Sequence, residues 1–235
     1  MVGFRALNMK ISFADSGAIE WTGIVTTILS VILGAILAYL ATFLSERRKE
    51  RRESIARATL LFLRSRKIID GIFKIDRQLN EGIAKAIAGG VGGPVWTQFE
   101  EIPNIHQYEE AIPVEETAIL VLYNELELLE SISELEEGYN SIIRALSKIF
   151  EMKTYWKTLV PPFQVVGNVA SSNGPLSPEA SVLYAQLCAL GDDIVRHLGL
   201  LKSRARETAP LLHKALKRGL KVKKFLSIVL PPGSS

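Results

Sequence analysis

Histidines and paired carboxylates are the side chains that hydrolytic or metal-dependent chemistry would need, and this sequence spaces them poorly for either. His106, His197 and His213 have no Cys, Asp or Glu at metal-ligand spacing on a shared helix face. Asp192 and Asp193 are adjacent, so they point in different directions from a helix and cannot form a dyad by themselves. We therefore predict no catalytic residue, no metal ligand and no cofactor, and we expect the protein not to be an enzyme.

Three further features that could carry chemistry are explained more simply as structure. The glycine-rich stretch GGVGGP at 89–94 lacks the Lys-Ser/Thr that a phosphate-binding loop needs. Cys188 is the only cysteine, which excludes an intramolecular disulfide and a CxxC-type metal site. His197 falls on the apolar stripe of a helix and Cys188 lies beside it, so both are expected to be packed core residues.

The elements that would position any site begin with a long uncharged segment near the N-terminus. No charged residue lies between Glu20 and Glu46, and twelve of the residues 24–44 are Ile, Leu, Val or Phe. These twelve favour insertion into a bilayer by about 4–7 kcal/mol. As a helix the segment would span about 31 Å, close to the thickness of a hydrocarbon core. We predict a transmembrane helix at 22–44, because the run is too long for a cleaved signal peptide and contains no A-x-A site.

Basic residues predict the orientation of this helix. Two Lys or Arg residues precede it, and seven follow it up to residue 64. By the positive-inside rule, residues 1–21 are expected to be a short extracytoplasmic N-terminus and residues 45–235 to be cytoplasmic, in a plasma or inner membrane. Glutamates interleaved with the basic run argue against nucleic-acid binding. The predicted anchors in the lipid bilayer and its anionic headgroups are Trp21, Arg47, Arg48, Lys49, Arg51, Arg52, Tyr155 and Trp156.

Small residues recur at every fourth position of the predicted membrane helix. Such a stripe permits the close helix–helix approach of small-xxx-small motifs, which predicts a homodimer or small homo-oligomer. The simpler alternative is that membrane helices are rich in small residues anyway, since Ala35 and Ala41 lie off the stripe. The stripe consists of Thr26, Ser30, Gly34, Ala38 and Thr42.

The remainder divides into three helical segments, at about 45–88, 113–158 and 177–227, separated by loops at 88–113 and 160–178. The third segment opens with Ser177 as N-cap and Pro178 in its first turn. Apolar positions in the second and third segments alternate in steps of four and three, as in coiled coils. No segment is predicted to form paired strands. The second-segment series is Leu128, Ile132, Leu135, Tyr139, Ile142, Leu146 and Ile149, and the third-segment series is Leu183, Leu187, Leu190, Ile194, His197, Leu201 and Ala205.

Three segments of similar length predict an antiparallel three-helix bundle. Residues 98–143 contain twelve Glu and no Lys or Arg, whereas the first and third segments are basic. An acidic helix between two basic ones would set register and neighbour choice more than stability. This arrangement returns the loop at 160–178 to the bilayer, which is why Tyr155 and Trp156 are predicted as anchors. The alternative is that Trp156 completes the bundle core.

The predicted fold class is therefore all-α, with a single N-terminal transmembrane helix that continues into a long, coiled-coil-like cytoplasmic bundle. The expected function is non-enzymatic: a membrane-anchored helical surface for protein interaction, scaffolding or signal coupling, with an unidentified cytoplasmic protein as partner. The alternative is an oligomeric pore-forming or bilayer-perturbing protein. The scarcity of polar residues in the membrane segment disfavours that alternative.

Overall fold

The computed structural model describes residues 21–90, 93–160, 163–166, 169–172, 175–221 and 225. Within these ranges the chain forms four α-helices, two short 3-10 helices and one two-stranded hairpin. The predicted helical class is confirmed, and residues 1–20 of the predicted extracytoplasmic N-terminus lie outside the described residues. The helices are α1 (Trp21–Ala88), α2 (Val114–Leu122), α3 (Leu126–Leu159) and α4 (Pro178–Gly219), and the 3-10 helices are Val95–Gln98 and Ile105–Tyr108.

Helix α1 is unbroken over 68 residues, as its sequence predicted. Every residue from Val25 to Glu53 is exposed, whereas Ala58 and Leu61 are fully buried. The chain divides into two compact units, an N-terminal unit (Met1–Arg51) and a C-terminal unit (Arg52–Ser235). One helix therefore contributes to both units, and its change from apolar to charged sequence needs no change of backbone conformation.

The core of the C-terminal unit is built from apolar stripes of α1, α3 and α4. All seven positions predicted for α3 are buried. The α4 stripe differs from the predicted one: Gly191 and Leu198 are buried instead of Leu190 and His197, and Leu183 is only partly buried. His197 is exposed, so its prediction as a core residue is wrong. The shift follows from packing, because Gly191 lacks the side chain that would displace Trp96, whose Cβ is 3.0 Å from the position of a Cβ at Gly191.

Long-range side-chain pairs fix the register of the helices in the C-terminal unit. The α3–α4 pairs are Glu125–Arg218, Glu134–Arg204 and Tyr155–Glu179, and the pairs from α1 towards the C-terminus are Phe62–Phe225 and Asp76–Lys202.

The segment between α1 and α2, which we call the connector (residues 93–113), returns along α1. Ion pairs join Lys85 to Glu100, Lys67 to Glu110 and Arg64 to Glu116. The sequence predicted that α1 faces the acidic stretch in a hairpin with the second long helix. Acidic residues do face α1, but they belong to the connector and α2, and the connector is packed: Trp96, Phe99, Ile105 and Ile112 are buried.

The second predicted helix is divided into α2 and α3 by a Schellman-type end. Asn124 adopts a left-handed conformation with φ 56°, which Asn tolerates better than most residues. The N–H of Glu125 donates to the carbonyl of Leu120 at 2.9 Å, and the N–H of Asn124 donates to that of Val121 at 3.0 Å. Predicting one helix over 113–158 was wrong because the apolar pattern continues through this break.

The predicted loop at 160–178 contains a short antiparallel hairpin, which the sequence did not predict. Strands β1 (Phe163–Val166) and β2 (Val169–Ser172) pair in a register that places Phe163 opposite Ser172 and Val166 opposite Val169. The connecting residues are Gly-Asn, a dipeptide that favours a two-residue hairpin turn. The hairpin is followed by α4, whose predicted N-cap is confirmed: the N–H of Ala180 donates to Ser177 Oγ at 3.1 Å.

Candidate functional site

The apolar part of α1 is the first candidate for a functional surface. Among the described residues, α1 is the one helix that is long and apolar enough to cross a membrane, by length and composition. Its large apolar side chains are exposed, from 42% at Phe43 to 70% at Tyr39. A contiguous apolar surface of this extent is rare on a soluble monomer and is what a bilayer or another membrane helix would cover.

The small-residue stripe is a face of α1 with small side chains and few free hydrogen-bonding groups. Ser30 Oγ donates to the Thr26 carbonyl at 2.7 Å, and Thr42 Oγ1 donates to the Ala38 carbonyl at 3.0 Å. Gly34 has no described side chain within 4 Å of the position where a Cβ would lie. The hydroxyls of Ser30 and Thr42 are satisfied within the helix, so the stripe offers close approach more than hydrogen bonds. Self-association through it stays a prediction.

The predicted interface anchors fall in two different environments. Arg47, Arg48, Lys49, Arg51 and Arg52 are exposed, and the Arg47 guanidinium lies 5.3 Å from the centre of the Phe43 ring. Such a contact suits an arginine at the end of an apolar segment. Trp21 is the first residue of α1.

Tyr155 and Trp156 take part in contacts within the C-terminal unit. The Trp156 ring lies 5.5 Å from Trp96 and 6.1 Å from Tyr184, measured between ring centres. Tyr155 Oη donates to Glu179 at 2.6 Å, and this hydrogen bond raises the pKa of the Tyr155 hydroxyl. These contacts support the alternative interpretation, in which Trp156 completes the core.

A Ser–His pair that sequence spacing could not reveal lies beside a cleft of about 820 Å³. Ser147 Oγ is 2.7 Å from His106 Nε2, and His106 Nδ1 is 3.9 Å from Glu109 Oε1. The geometry lacks two requirements of nucleophilic catalysis. The Glu109 contact is too long for a hydrogen bond, and Ser147 is 7% exposed in the middle of α3, where its own N–H belongs to the helix. The pair attaches the second 3-10 helix to α3.

A second cleft, of about 550 Å³, lies between the end of α1, the connector and α3. Lys153 Nζ donates there to the carbonyls of Thr97 at 3.2 Å and Phe99 at 3.1 Å. Burial lowers the pKa of Lys153, and the neighbouring Lys157 lowers it further. Because the ammonium group is already engaged by two backbone carbonyls, Lys153 fixes the connector rather than offering an amine for chemistry.

The sequence missed the polar residues that hold the connector, since their partners lie far along the chain. Asn140 accepts from the N–H of Glu110 at 3.0 Å and donates to its carbonyl at 2.6 Å, and Glu136 accepts from the N–H of Ile112 at 3.1 Å. Both look like ordinary exposed positions of an acidic helix. Comparison with protein-family models, with curated proteins and with solved structures finds no match for this chain.

Proposed function

We propose that this protein is a non-enzymatic, single-pass membrane protein that presents a cytoplasmic helical unit to another protein, as a scaffold or a coupling element. The observation that carries the proposal is α1 itself. It is exposed and apolar over Val25–Leu44, charged over the next turns, and packed into a core from Ala58 onwards, without a break in the helix. A continuous helix with these three environments suits a rod that links a bilayer to a folded unit.

We propose further that α3 and α4 run antiparallel, that α1 also runs antiparallel to α4, and that the three form a coiled-coil-like bundle. Pairs such as Glu134–Arg204 and Asp76–Lys202 support these directions. In this bundle α1 and α3 are parallel. The connector, and not the second long helix as the sequence predicted, runs back along α1. The end of α4 then lies beside the first buried turns of α1, near Phe62.

The orientation is tested by labelling single cysteines in whole cells, in a Cys188→Ser background. We expect a membrane-impermeant maleimide to label Ser16→Cys in intact cells. Ile87→Cys, whose position is 73% exposed in the C-terminal unit, should be labelled only after permeabilisation. The expectation follows from the excess of Lys and Arg after the apolar segment. Labelling of Ile87→Cys from outside would reverse the proposed topology, and soluble protein after alkaline extraction would reject the anchor.

Self-association through the small-residue stripe is tested by disulfide crosslinking in the membrane. Gly34→Cys, in the same Cys188→Ser background, is expected to give a disulfide-linked dimer under mild oxidation. Ile36→Cys is the matched control, because two residues, about 200° around the helix, place it on the opposite face. Equal crosslinking at both positions would mean random collision, and this would argue against a specific dimer.

The alternative, a pore-forming oligomer, has less support. A water-lined helix needs a polar stripe, and the hydroxyls of Ser30 and Thr42 are bonded to their own backbone. Release of a trapped dye from liposomes containing the full chain would favour the pore over the anchored scaffold.

A further inference from the structure

One end of the C-terminal unit carries apolar side chains that the unit itself does not cover. At the corner between α2 and α3, Val121 is 53% exposed, Leu122 74% and Leu126 56%. The neighbouring Leu120 and Leu128 are buried, so the exposed three are not simply the outer side of an apolar helix. Side chains of this size at a tight corner are costly to leave in water unless another phase or molecule covers them.

The same corner lies against the basic end of α4. Tyr123 packs directly on Gly219, with ring atoms 2.2 Å from where a Cβ would lie, and Glu125 is paired with Arg218. Lys214, Lys217 and Lys221 are exposed around this contact, and no acidic residue follows Glu207 in the sequence. Glu127 is the exposed carboxylate next to the apolar corner. We call Val121, Leu122 and Leu126 together with these three lysines the corner surface.

Chain length limits how far this end can be from the predicted membrane span. Ile55 is the first α1 residue packed against the core, and it lies eleven helical steps after Leu44. Their contour length is about 16 Å, and the headgroup region occupies about 5–8 Å of it. This contour length limits the distance from Ile55 to the lipid surface to roughly 10 Å if α1 spans the bilayer. The contact of Phe225 with Phe62 keeps the end of α4 at this same end of the unit.

We propose that the corner surface docks on the anionic surface of the membrane that α1 crosses, with Leu122 inserted among the headgroups and the α4 lysines paired with lipid phosphates. This inference rests on the proposed membrane anchor. The lysines of the corner surface complement the negative charge of an anionic bilayer. The short helical stretch between Leu44 and Ile55 keeps the surface close to the lipid. Docking would hold the C-terminal unit against the membrane and make its presentation depend on lipid charge.

The test uses the full chain in nanodiscs, with an environment-sensitive fluorophore on single cysteines in a Cys188→Ser background. Leu122→Cys carries the test label, Leu37→Cys reports insertion of α1, and Val182→Cys, an exposed α4 position far along the helix from Lys217, is the soluble control. Discs of phosphatidylglycerol are compared with discs of phosphatidylcholine, and lipid-borne nitroxides are used as quenchers. We expect quenching at residue 122 in anionic discs and little in zwitterionic discs, quenching at 37 in both, and none at 182.

Charge variants make the result specific. Replacing Lys214, Lys217 and Lys221 by Gln should weaken docking by about five-fold per lysine, or about 100-fold in all. The control removes the same charge elsewhere, by Lys85→Gln, Lys148→Gln and Lys157→Gln, and should leave quenching at residue 122 unchanged. An unquenched label at 122 in anionic discs, with 37 quenched, overturns the docking but leaves the anchor. An unquenched label at 37 rejects both. If the label at residue 122 becomes buried as the number of protein copies per disc rises, whatever the lipid charge, a second chain covers the corner surface. That result would overturn docking on the membrane.

Discussion

Replacing Gly82 by alanine is expected to lower the free energy of unfolding of the C-terminal unit by about 1–3 kcal/mol. Alanine is the better helix former by about 1 kcal/mol, so propensity alone predicts the opposite sign. The Cβ of an alanine here would lie 2.6 Å from the carbonyl oxygen of Gln98. That carbonyl cannot move away easily, because buried Trp96 and Phe99 flank it and Lys153 holds the carbonyls of Thr97 and Phe99.

The measurement is thermal unfolding of the full chain in detergent, followed by circular dichroism. For a unit of this size each kcal/mol lowers Tm by about 2–4 °C. Gly199→Ala is the matched control, since Gly199 lies inside α4, is exposed and has no described atom within 4 Å of the position that a Cβ would take. It should gain up to about 1 kcal/mol from propensity alone. If both variants gained stability equally, the close contact between Gly82 of α1 and the Gln98 carbonyl of the connector would be contradicted.

Periodicity was enough to predict the long helices but not the segment that packs between them. The seven apolar positions of α3 repeat in steps that only a helix explains, and all are buried. The connector has four buried anchors at irregular spacing, Trp96, Phe99, Ile105 and Ile112. A segment held by separate anchors leaves no period to detect. The proposed parallel arrangement of α1 and α3 likewise depends on the connector making the return, and the sequence gives no sign of that.

The candidate surfaces differ in how well they can be predicted from the sequence. The apolar part of α1 is local, so composition alone identifies it as long and apolar enough to span a membrane. The corner surface depends on Asn124 ending α2 and on the contact between Tyr123 and Gly219, which lie 96 residues apart. The Ser147–His106 pair joins residues 41 apart with no motif between them. Sequence spacing can reveal a pair of interacting side chains only when both residues lie on the same helix or strand. The long-range polar contacts described here each join two different elements.

The ion pair between Arg64 of α1 and Glu116 of α2 is expected to be the most sensitive polar contact of the C-terminal unit. Arg64 Nε is 3.1 Å from Glu116 Oε2, and Arg64 also donates to the Ala111 carbonyl at 2.8 Å. The Glu116 side chain is 8% exposed, and Oε2 has no hydrogen bond beyond this ion contact. Arg64→Met would leave a nearly buried carboxylate uncompensated. Fully buried pairs broken in this way lose about 3–5 kcal/mol, and because Arg64 is 40% exposed we expect about 2–3 kcal/mol here.

Two comparisons separate this effect from the loss of any surface arginine. Arg66→Met, two residues along the same helix, breaks a pair with Asp70 in which both side chains are about half exposed, and it should cost less than about 1 kcal/mol. The double variant Arg64→Met/Glu116→Met removes the stranded charge and should recover most of the loss, with a coupling energy of about 1–3 kcal/mol in chemical unfolding. Because the pair exists only if α2 lies back along α1, simple additivity of the two substitutions would argue against that return path and against the parallel arrangement of α1 and α3.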